Sequence, residues 1–161
     1  MPTAFLITPF TPDRAGNEDP AVFDAVQEAV RGAALTMGVR LVHPAEISRA
    51  GVIMDHVDEE LDRADLVIAI LTGQNPNVFF ELGRTQSPAI LIIDAAEKLP
   101  FDVRHHRTLT YAGPGELETL RDRLGKSIAE TLATQWLEKD RARGGQGSAA
   151  PARLYQPASR G

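Results

Sequence analysis

The chain contains no cysteine, no long basic run and no apolar stretch of membrane-spanning length. Without cysteine, it can form no disulfide framework, thiolate nucleophile or cysteine-based metal site. Its net charge of −5 argues against a dedicated nucleic-acid-binding protein, which usually presents a basic face. No apolar stretch approaches the roughly 18 residues that a membrane-spanning helix needs. Because the amino-terminal sequence also reads as a strand rather than a signal peptide, we expect a cytoplasmic protein.

What the chain does contain is a globular composition and an alternation of strand and helix patterns. Its 161 residues, 43% hydrophobic and 24% charged, suit one domain with a sizeable core. The alternation predicts a parallel sheet, specifically a flavodoxin-like, Rossmann-like α/β sandwich with strand order 2-1-3-4-5. The predicted domain spans residues 1–140, and the Gly-, Ala-, Pro- and Arg-rich residues 141–161 are predicted to form a tail. The predicted strands cover residues 4–8, 39–42, 66–71, 89–93 and 108–111.

The predicted strand order places a ligand cleft between the first and third strands. In an open parallel sheet, ligands bind outside the carboxyl ends of the strands where the order reverses. Two loops meet there, formed by residues 8–20 and 72–81. The second loop contains Gly and Pro, which fix a turn, and it leads into a helix that carries a single acid, Glu81, in apolar surroundings. An acid in such a place is a candidate catalytic group.

Three blocks of sequence resemble one known superfamily. The central block, Asn75-Pro-Asn-Val-Phe-Phe-Glu-Leu-Gly83 after an Ala-Asp-Leu-Val-Ile-Ala strand, resembles nucleoside 2-deoxyribosyltransferase-like proteins and the related TIR-like proteins. The blocks Leu6-Ile-Thr-Pro-Phe10 and Phe101-Asp-Val-Arg-His-His-Arg107 are similar to blocks that often accompany it. The resemblance covers roughly residues 4–135. It implies cleavage of an N-glycosidic bond between a ribose and a base.

The resemblance assigns the chemistry to Glu81, because the matching glutamate in the family attacks or stabilises the anomeric carbon of the sugar. An oxocarbenium-like centre calls for such a negative charge, as in glycoside hydrolysis. Asn75 stands where the transferases commonly have an aspartate. It can position the ribose by hydrogen bonds but cannot act as a general acid. Because the next strand begins soon after Glu81, the helix that carries it is predicted to be shorter than in relatives.

Residues on the cleft loops form the predicted ligand-binding set. Thr72 and Gly73 shape the turn and offer their backbone to a ligand. Arg14 and Arg49 are candidates to meet a phosphate, with a solvated loop charge as the alternative. For Asn77, capping of the following helix is the preferred interpretation. The full set is Thr8, Pro9, Phe10, Asp13, Arg14, Ser48, Arg49, Thr72, Gly73 and Asn77.

Two helical faces are interpreted as structural. The acidic row of the second helix, formed by Asp55, Asp58, Glu59 and Asp62, is interpreted as a solvated face. The apolar stripe of the last helix is interpreted as core or as a dimer surface. Its members are Leu117, Leu120, Leu124, Ile128, Leu132 and Trp136.

The sequence therefore leaves two classes of function open. The first is an enzyme, an N-ribosyl hydrolase or deoxyribosyltransferase that acts on a nucleoside, nucleotide or NAD and requires neither a metal nor a cofactor. The alternative is a non-catalytic nucleotide-binding sensor or a TIR-like interaction module. In either case the expected partner is a small molecule, in a homodimer or higher homo-oligomer, and neither membrane nor nucleic acid is expected as a partner.

Overall fold

Alternating strands and helices make up the described part of the chain. The computed structural model describes residues 1–9, 19–44, 54–99 and 106–144. The strands are β1 (Thr3–Ile7), β2 (Arg40–Val42), β3 (Leu66–Ile70), β4 (Ala89–Asp94) and β5 (Arg107–Tyr111). The helices are α1 (Pro20–Thr36), α2 (Met54–Arg63), α3 (Pro76–Arg84) and α4 (Leu117–Ala142), with a 3-10 turn at Pro114–Glu116.

The strands form one parallel sheet in the order β2-β1-β3-β4-β5. Phe5 of β1 lies opposite Val42 of β2 on one side and Val67 of β3 on the other. The predicted flavodoxin-like order 2-1-3-4-5 is therefore confirmed, and the order reverses between β1 and β3. The apolar runs of β1, β3 and β4 are buried because helices cover both faces of a parallel sheet.

Side chains that alternate along the strands build a separate core on each face of the sheet. On one face, Leu6 and Ile68 pack with the long helices α1 and α4, whose contribution includes Phe23, Leu124 and Ile128. The predicted stripe of the last helix lies mainly in this core, since Leu120, Leu124, Ile128 and Leu132 are buried there. On the other face, the apolar side chains pack with the short helices α2 and α3; the members from these helices are Val57, Leu61, Val78 and Leu82.

Local signals in the sequence explain where α1 begins and ends. The Asp19 side chain accepts a hydrogen bond from the Ala21 amide at 2.8 Å, and Pro20 occupies the first helical position. Gly38 follows the carboxyl end with a φ of 67°, a left-handed conformation that suits glycine there.

The amino edge of the sheet, opposite the predicted cleft, is held by Asp65. Its carboxylate accepts a hydrogen bond from the Thr3 amide at 2.9 Å and lies 3.5 Å from the Lys139 ammonium of α4. Asp65 thus ties the start of β3 to β1 and to α4. None of the described helices is both long and apolar enough to cross a bilayer.

Candidate functional site

The loop that follows β3 turns sharply and then starts α3. Gly73 and Gln74 have φ angles of 84° and 50°, both in the left-handed region. Asn75 then caps the helix, because its side-chain oxygen accepts a hydrogen bond from the Asn77 amide at 2.9 Å. The preferred interpretation of Asn77 as the cap is therefore wrong. Pro76 explains why Asn75 is the cap. A proline favours the first position of a helix, and it favours an extended backbone at the residue before it.

Asn77 and Glu81 lie one helical turn apart on α3 and line the same cavity. The cavity has a volume of about 290 Å³ and lies between α2 and α3. Its described lining comes entirely from these two helices: Val57, Asp58 and Leu61 from α2, and Asn77, Phe80, Glu81 and Arg84 from α3. Because α3 rises about 1.5 Å per residue, Glu81 stands about 9 Å along the axis from the capping Asn75. The carboxyl group thus faces a groove between helices, on one face of the sheet, rather than the loop itself.

Burial raises the pKa of the Glu81 carboxyl above its usual value of 4.5. Removal from water disfavours the ionised form, and the positive charge of Arg84 works against this effect while the negative charge of Asp58 adds to it. Glu81 is half-buried. The groove therefore contains an acid whose ionisation depends on its neighbours, as is common at functional sites.

Arg84 links the two helices that form the groove. One of its guanidinium nitrogens lies 3.1 Å from a carboxylate oxygen of Asp58 on α2. The guanidinium also lies over the ring of Phe80, 5.6 Å from the ring centroid, in a cation–π contact. The pKa of Arg84 is raised, first by its hydrogen bond to Asp58, so the group stays charged. The groove consequently holds two carboxyl groups and one permanent cation.

Asp58, Phe80 and Arg84 are residues that the sequence interpretation missed. Asp58 belongs to the acidic row that was interpreted as solvated, and it is partly exposed as expected, but it also borders the cavity with Glu81 and forms an ion pair with Arg84. Its side chain remains 46% exposed, which explains why its position in the sequence looked like that of any surface acid. For Phe80 and Arg84 a signal existed, since they lie four residues apart on the helix that carries Glu81.

Thr72 and Gly73 bond within the protein. The Thr72 hydroxyl is buried, lies 2.9 Å from the Tyr111 hydroxyl and accepts a hydrogen bond from the Asp94 amide at 3.0 Å. The Gly73 amide donates to the Glu97 carboxylate, with both oxygens at 3.0 Å. These contacts tie the loop after β3 to the carboxyl ends of β4 and β5. A ligand-binding role for Thr72 and Gly73 stays a prediction.

Of the remaining predicted site residues, the structure describes Thr8 and Pro9. Thr8 directly follows β1, and the alternation of that strand directs it to the face of Ala4 and Leu6, opposite α2 and α3. Its hydroxyl oxygen is buried and has no hydrogen-bond partner among the described residues. Pro9, the next residue, is also buried. Five predicted ligand-binding residues lie outside the described residues: Phe10, Asp13, Arg14, Ser48 and Arg49.

A second cavity, of about 360 Å³, lies beside the first residues of β4 and β5 and the carboxyl-terminal half of α4. Its lining includes an ion pair between Arg107 and Glu130. Its position at the amino ends of the strands sets it apart from the groove between α2 and α3. Within residues 1–9, 19–44, 54–99 and 106–144, no group of three or more His, Asp or Glu side chains could hold a metal ion.

Comparisons with known proteins do not assign the chain to a family. No protein-family model matches it. No curated protein matches it either. Among solved structures, it is similar to the constitutive lysine decarboxylase of E. coli, with a TM-score of 0.47 and 14% sequence identity. The similarity covers 94% of this chain and 21% of the decarboxylase chain, so this chain spans about a fifth of that protein's length.

Proposed function

We propose that the protein cleaves an N-glycosidic bond in a nucleoside, a nucleotide or NAD, with Glu81 as the acting carboxylate. One observation carries the proposal: Glu81 is a half-buried acid with a raised pKa that lines a cavity. The resemblance of the central sequence block to deoxyribosyltransferase-like proteins supplies the reaction type. The cavity volume of about 290 Å³ is near the lower end of small-molecule pockets, about 300–1,000 Å³, and suits one sugar or base.

In this reaction, one carboxylate faces the sugar carbon C1′, which gains positive charge. As the bond between the sugar C1′ and the base nitrogen breaks, its electron pair leaves with the nitrogen. The ionised Glu81 either bonds to C1′ or stabilises its charge, as in retaining glycosidases. In hydrolysis, water then supplies the new hydroxyl of the sugar, and its proton goes to the departing base or, when nicotinamide leaves NAD as a neutral molecule, to solvent. In transfer, a second base takes the place of water.

The neighbours of Glu81 support this assignment. The Arg84 charge partly offsets the desolvation of Glu81, which favours the ionised form that a nucleophile requires. Asn77 lines the same cavity, and its carboxamide can both donate hydrogen bonds to a ligand and accept them from it. Asn75 has its side-chain oxygen engaged in the helix cap, but its amide nitrogen keeps two donor hydrogens. Asn77 is therefore the better placed of the two to contact the ligand.

Substitution of Glu81 by Gln tests the proposal. Incubation with a panel of nucleosides, nucleoside monophosphates and NAD, followed by chromatography, measures the released base. We expect release by the parent protein and a loss of about 10²–10⁴-fold in Glu81→Gln. Glu118→Gln is the matched control, because it removes an exposed carboxylate on α4 far from the cavity. No release from any substrate, with saturable nucleotide binding intact, would contradict catalysis.

A nucleotide sensor that binds without turnover is the second candidate. Two observations favour it: Asn75 stands where the transferases have a general acid, and its side-chain oxygen is engaged in capping α3. A neutral base leaves slowly unless it receives a proton, so a site without an acid would bind better than it reacts. Calorimetric titration with the same panel separates the candidates, because a sensor predicts binding with no released base.

A further inference from the structure

Phe80 is an exposed aromatic ring at the edge of the candidate site. It is 67% exposed even though the Arg84 guanidinium lies over the ring. Its neighbour Phe79, by contrast, packs against the core between the sheet and the short helices. Most of the Phe80 ring is therefore open to a molecule that enters the groove. Its exposure costs free energy in water and finds no compensation from packing within the described part of the chain.

Among the described residues, Phe80 does not belong to an exposed apolar patch. The other exposed large apolar side chains among the described residues are Met1, Leu35 and Leu137. Leu35 and Leu137 belong to α1 and α4, the helices that cover the opposite face of the sheet. In the cavity beside Phe80, the described lining combines the buried Val57 and Leu61 with polar and charged side chains. Protein interfaces are marked by contiguous apolar surface, so a single ring with a charged rim fits a small ligand better.

The spacing on α3 brings three different chemical functions to one opening. Asn77 precedes Phe80 by three residues and Glu81 by four, which makes both of them its neighbours on the helix surface. The Phe80 ring offers a π face, Asn77 a carboxamide, and Glu81 the carboxylate. A planar heteroaromatic base can stack on a ring and form hydrogen bonds with a carboxamide at its edge.

We infer that Phe80 is the stacking platform for a planar nucleobase-like ring of the ligand, and that Asn77 contacts the edge of that ring. This inference rests on the proposed function and adds the subsite that selects the base. The Arg84 guanidinium, paired with Asp58 at 3.1 Å, lies over one face of the Phe80 ring, so the ligand ring stacks on the other face. In this arrangement the sugar lies next to Glu81, the residue that follows Phe80 on α3.

Binding of free bases tests the platform without any need for turnover. Adenine, cytosine and nicotinamide are titrated separately into ¹⁵N-labelled full-length protein, and amide shifts on α3 give the Kd. Stacking on an aromatic side chain contributes enough that Phe80→Ala is expected to weaken binding by about 5- to 100-fold. Phe80→Tyr, which keeps the π face, is expected to bind as the parent does. Leu137→Ala is the matched control, because it removes an apolar side chain that is 51% exposed on another helix.

The outcomes separate this inference from the proposed function. If the parent protein binds no base, or if Phe80→Ala binds bases as tightly as the parent, the platform is wrong whatever the enzyme assay gives. If Phe80→Ala loses base binding while the parent releases no base, the platform stands and the catalytic proposal fails. Sedimentation of the same variants adds a further check. A lower solution mass for Phe80→Ala with unchanged base binding would identify a protein interface and overturn the platform.

Discussion

The two faces of the sheet are covered by very different helices, and the candidate chemistry lies on the thinner side. On the long-helix face, α1 and α4 span 17 and 26 residues and enclose an apolar core. On the short-helix face, α2 and α3 span 10 and 9 residues and leave a cavity of about 290 Å³ between them. One face therefore holds the larger apolar cluster, and the other carries charged side chains around an opening.

The difference has a simple physical origin. A long helix presents many turns, so an apolar stripe such as Leu120, Leu124 and Ile128 can bury completely. In α3, only Val78 and Leu82 are buried, and the positions between them carry Phe80 and Glu81. A half-open surface of this kind tolerates a partly desolvated acid, because water and Arg84 both remain within reach. The larger apolar core and the candidate site thus lie on opposite faces of the sheet.

Two matched leucines provide the largest test of this comparison. Leu124 is fully buried in α4, and Leu61 is nearly buried in α2 but borders the cavity. Leu124→Ala leaves a closed void and is expected to lower the free energy of unfolding by about 3–5 kcal/mol. Leu61→Ala only enlarges an existing opening and is expected to cost about 2 kcal/mol. Urea denaturation measures both values.

The comparison fails if Leu61→Ala costs as much as Leu124→Ala, because the short-helix face would then be as tightly packed as the other. Leu137→Ala serves as the control for substitution itself. Its side chain is 51% exposed, and a change within about 0.5 kcal/mol is expected.

A smaller effect is expected where the long-helix face reaches the loop that leads to the site. Tyr111→Phe removes the hydroxyl that lies 2.9 Å from the buried Thr72 hydroxyl. The loss is expected to cost about 0.5–1.5 kcal/mol, because the buried Thr72 hydroxyl loses one hydrogen-bond partner and keeps the Asp94 amide. Hydrogen exchange at residues 72–75 should also accelerate, since Thr72 anchors that loop to β4 and β5. Denaturation and exchange measured on the same sample report the two effects.

Thr134→Ala is the control for loss of a hydroxyl, because Thr134 is exposed and its hydroxyl donates to the Glu130 carbonyl of its own helix. A negligible change in both measurements is expected. Unchanged exchange at residues 72–75 in Tyr111→Phe would show that the loop is held by other contacts, such as the one between Gly73 and Glu97.

The sequence was sufficient for the fold because the signals that decide it are local and repeated. Strand runs that alternate with helical periodicity predicted the order 2-1-3-4-5, and Gly38 marked the end of α1. The short α3 was also predictable, because Ser87 and Pro88 come directly before β4. The residue that caps α3 could also be predicted from the sequence. Asn75 precedes a proline and Asn77 does not, and that alone favours Asn75.

The site was predicted only in part, because its remaining members meet through tertiary packing. Glu81 could be selected from its apolar neighbours and its place after β3. Asp58 could not, since nothing in its own helix distinguishes it from Glu59 or Asp62. Its role depends on how α2 lies against α3, which brings Asp58 to Arg84. Periodicity reports which face of a helix is polar, but not which polar residue another helix will approach.

The smallest effect, and one opposite in sign, is expected at Glu81. Because burial raises its pKa above 4.5, the folded protein holds this proton more tightly than the unfolded chain does. The carboxyl group therefore contributes stability that is fully present below its unfolded pKa and is lost as the pH rises through the raised pKa. Glu81→Gln carries no charge at any pH. We expect it to be more stable than the parent at pH 7, by no more than about 1 kcal/mol because the group is only half-buried.

The pH dependence of that difference distinguishes electrostatics from packing. Urea denaturation at several pH values should show the advantage of Glu81→Gln shrinking as the pH falls toward 4.5, where the parent carboxyl also becomes neutral. Glu118→Gln, at an exposed position in α4, should show no comparable gain at pH 7. An advantage that is equal at all pH values would mean that the amide simply packs better. A loss of stability at pH 7 would mean that Arg84 stabilises the ionised Glu81 by more than burial destabilises it. The partly buried acid on the short-helix face would then add to the free energy of unfolding instead of lowering it.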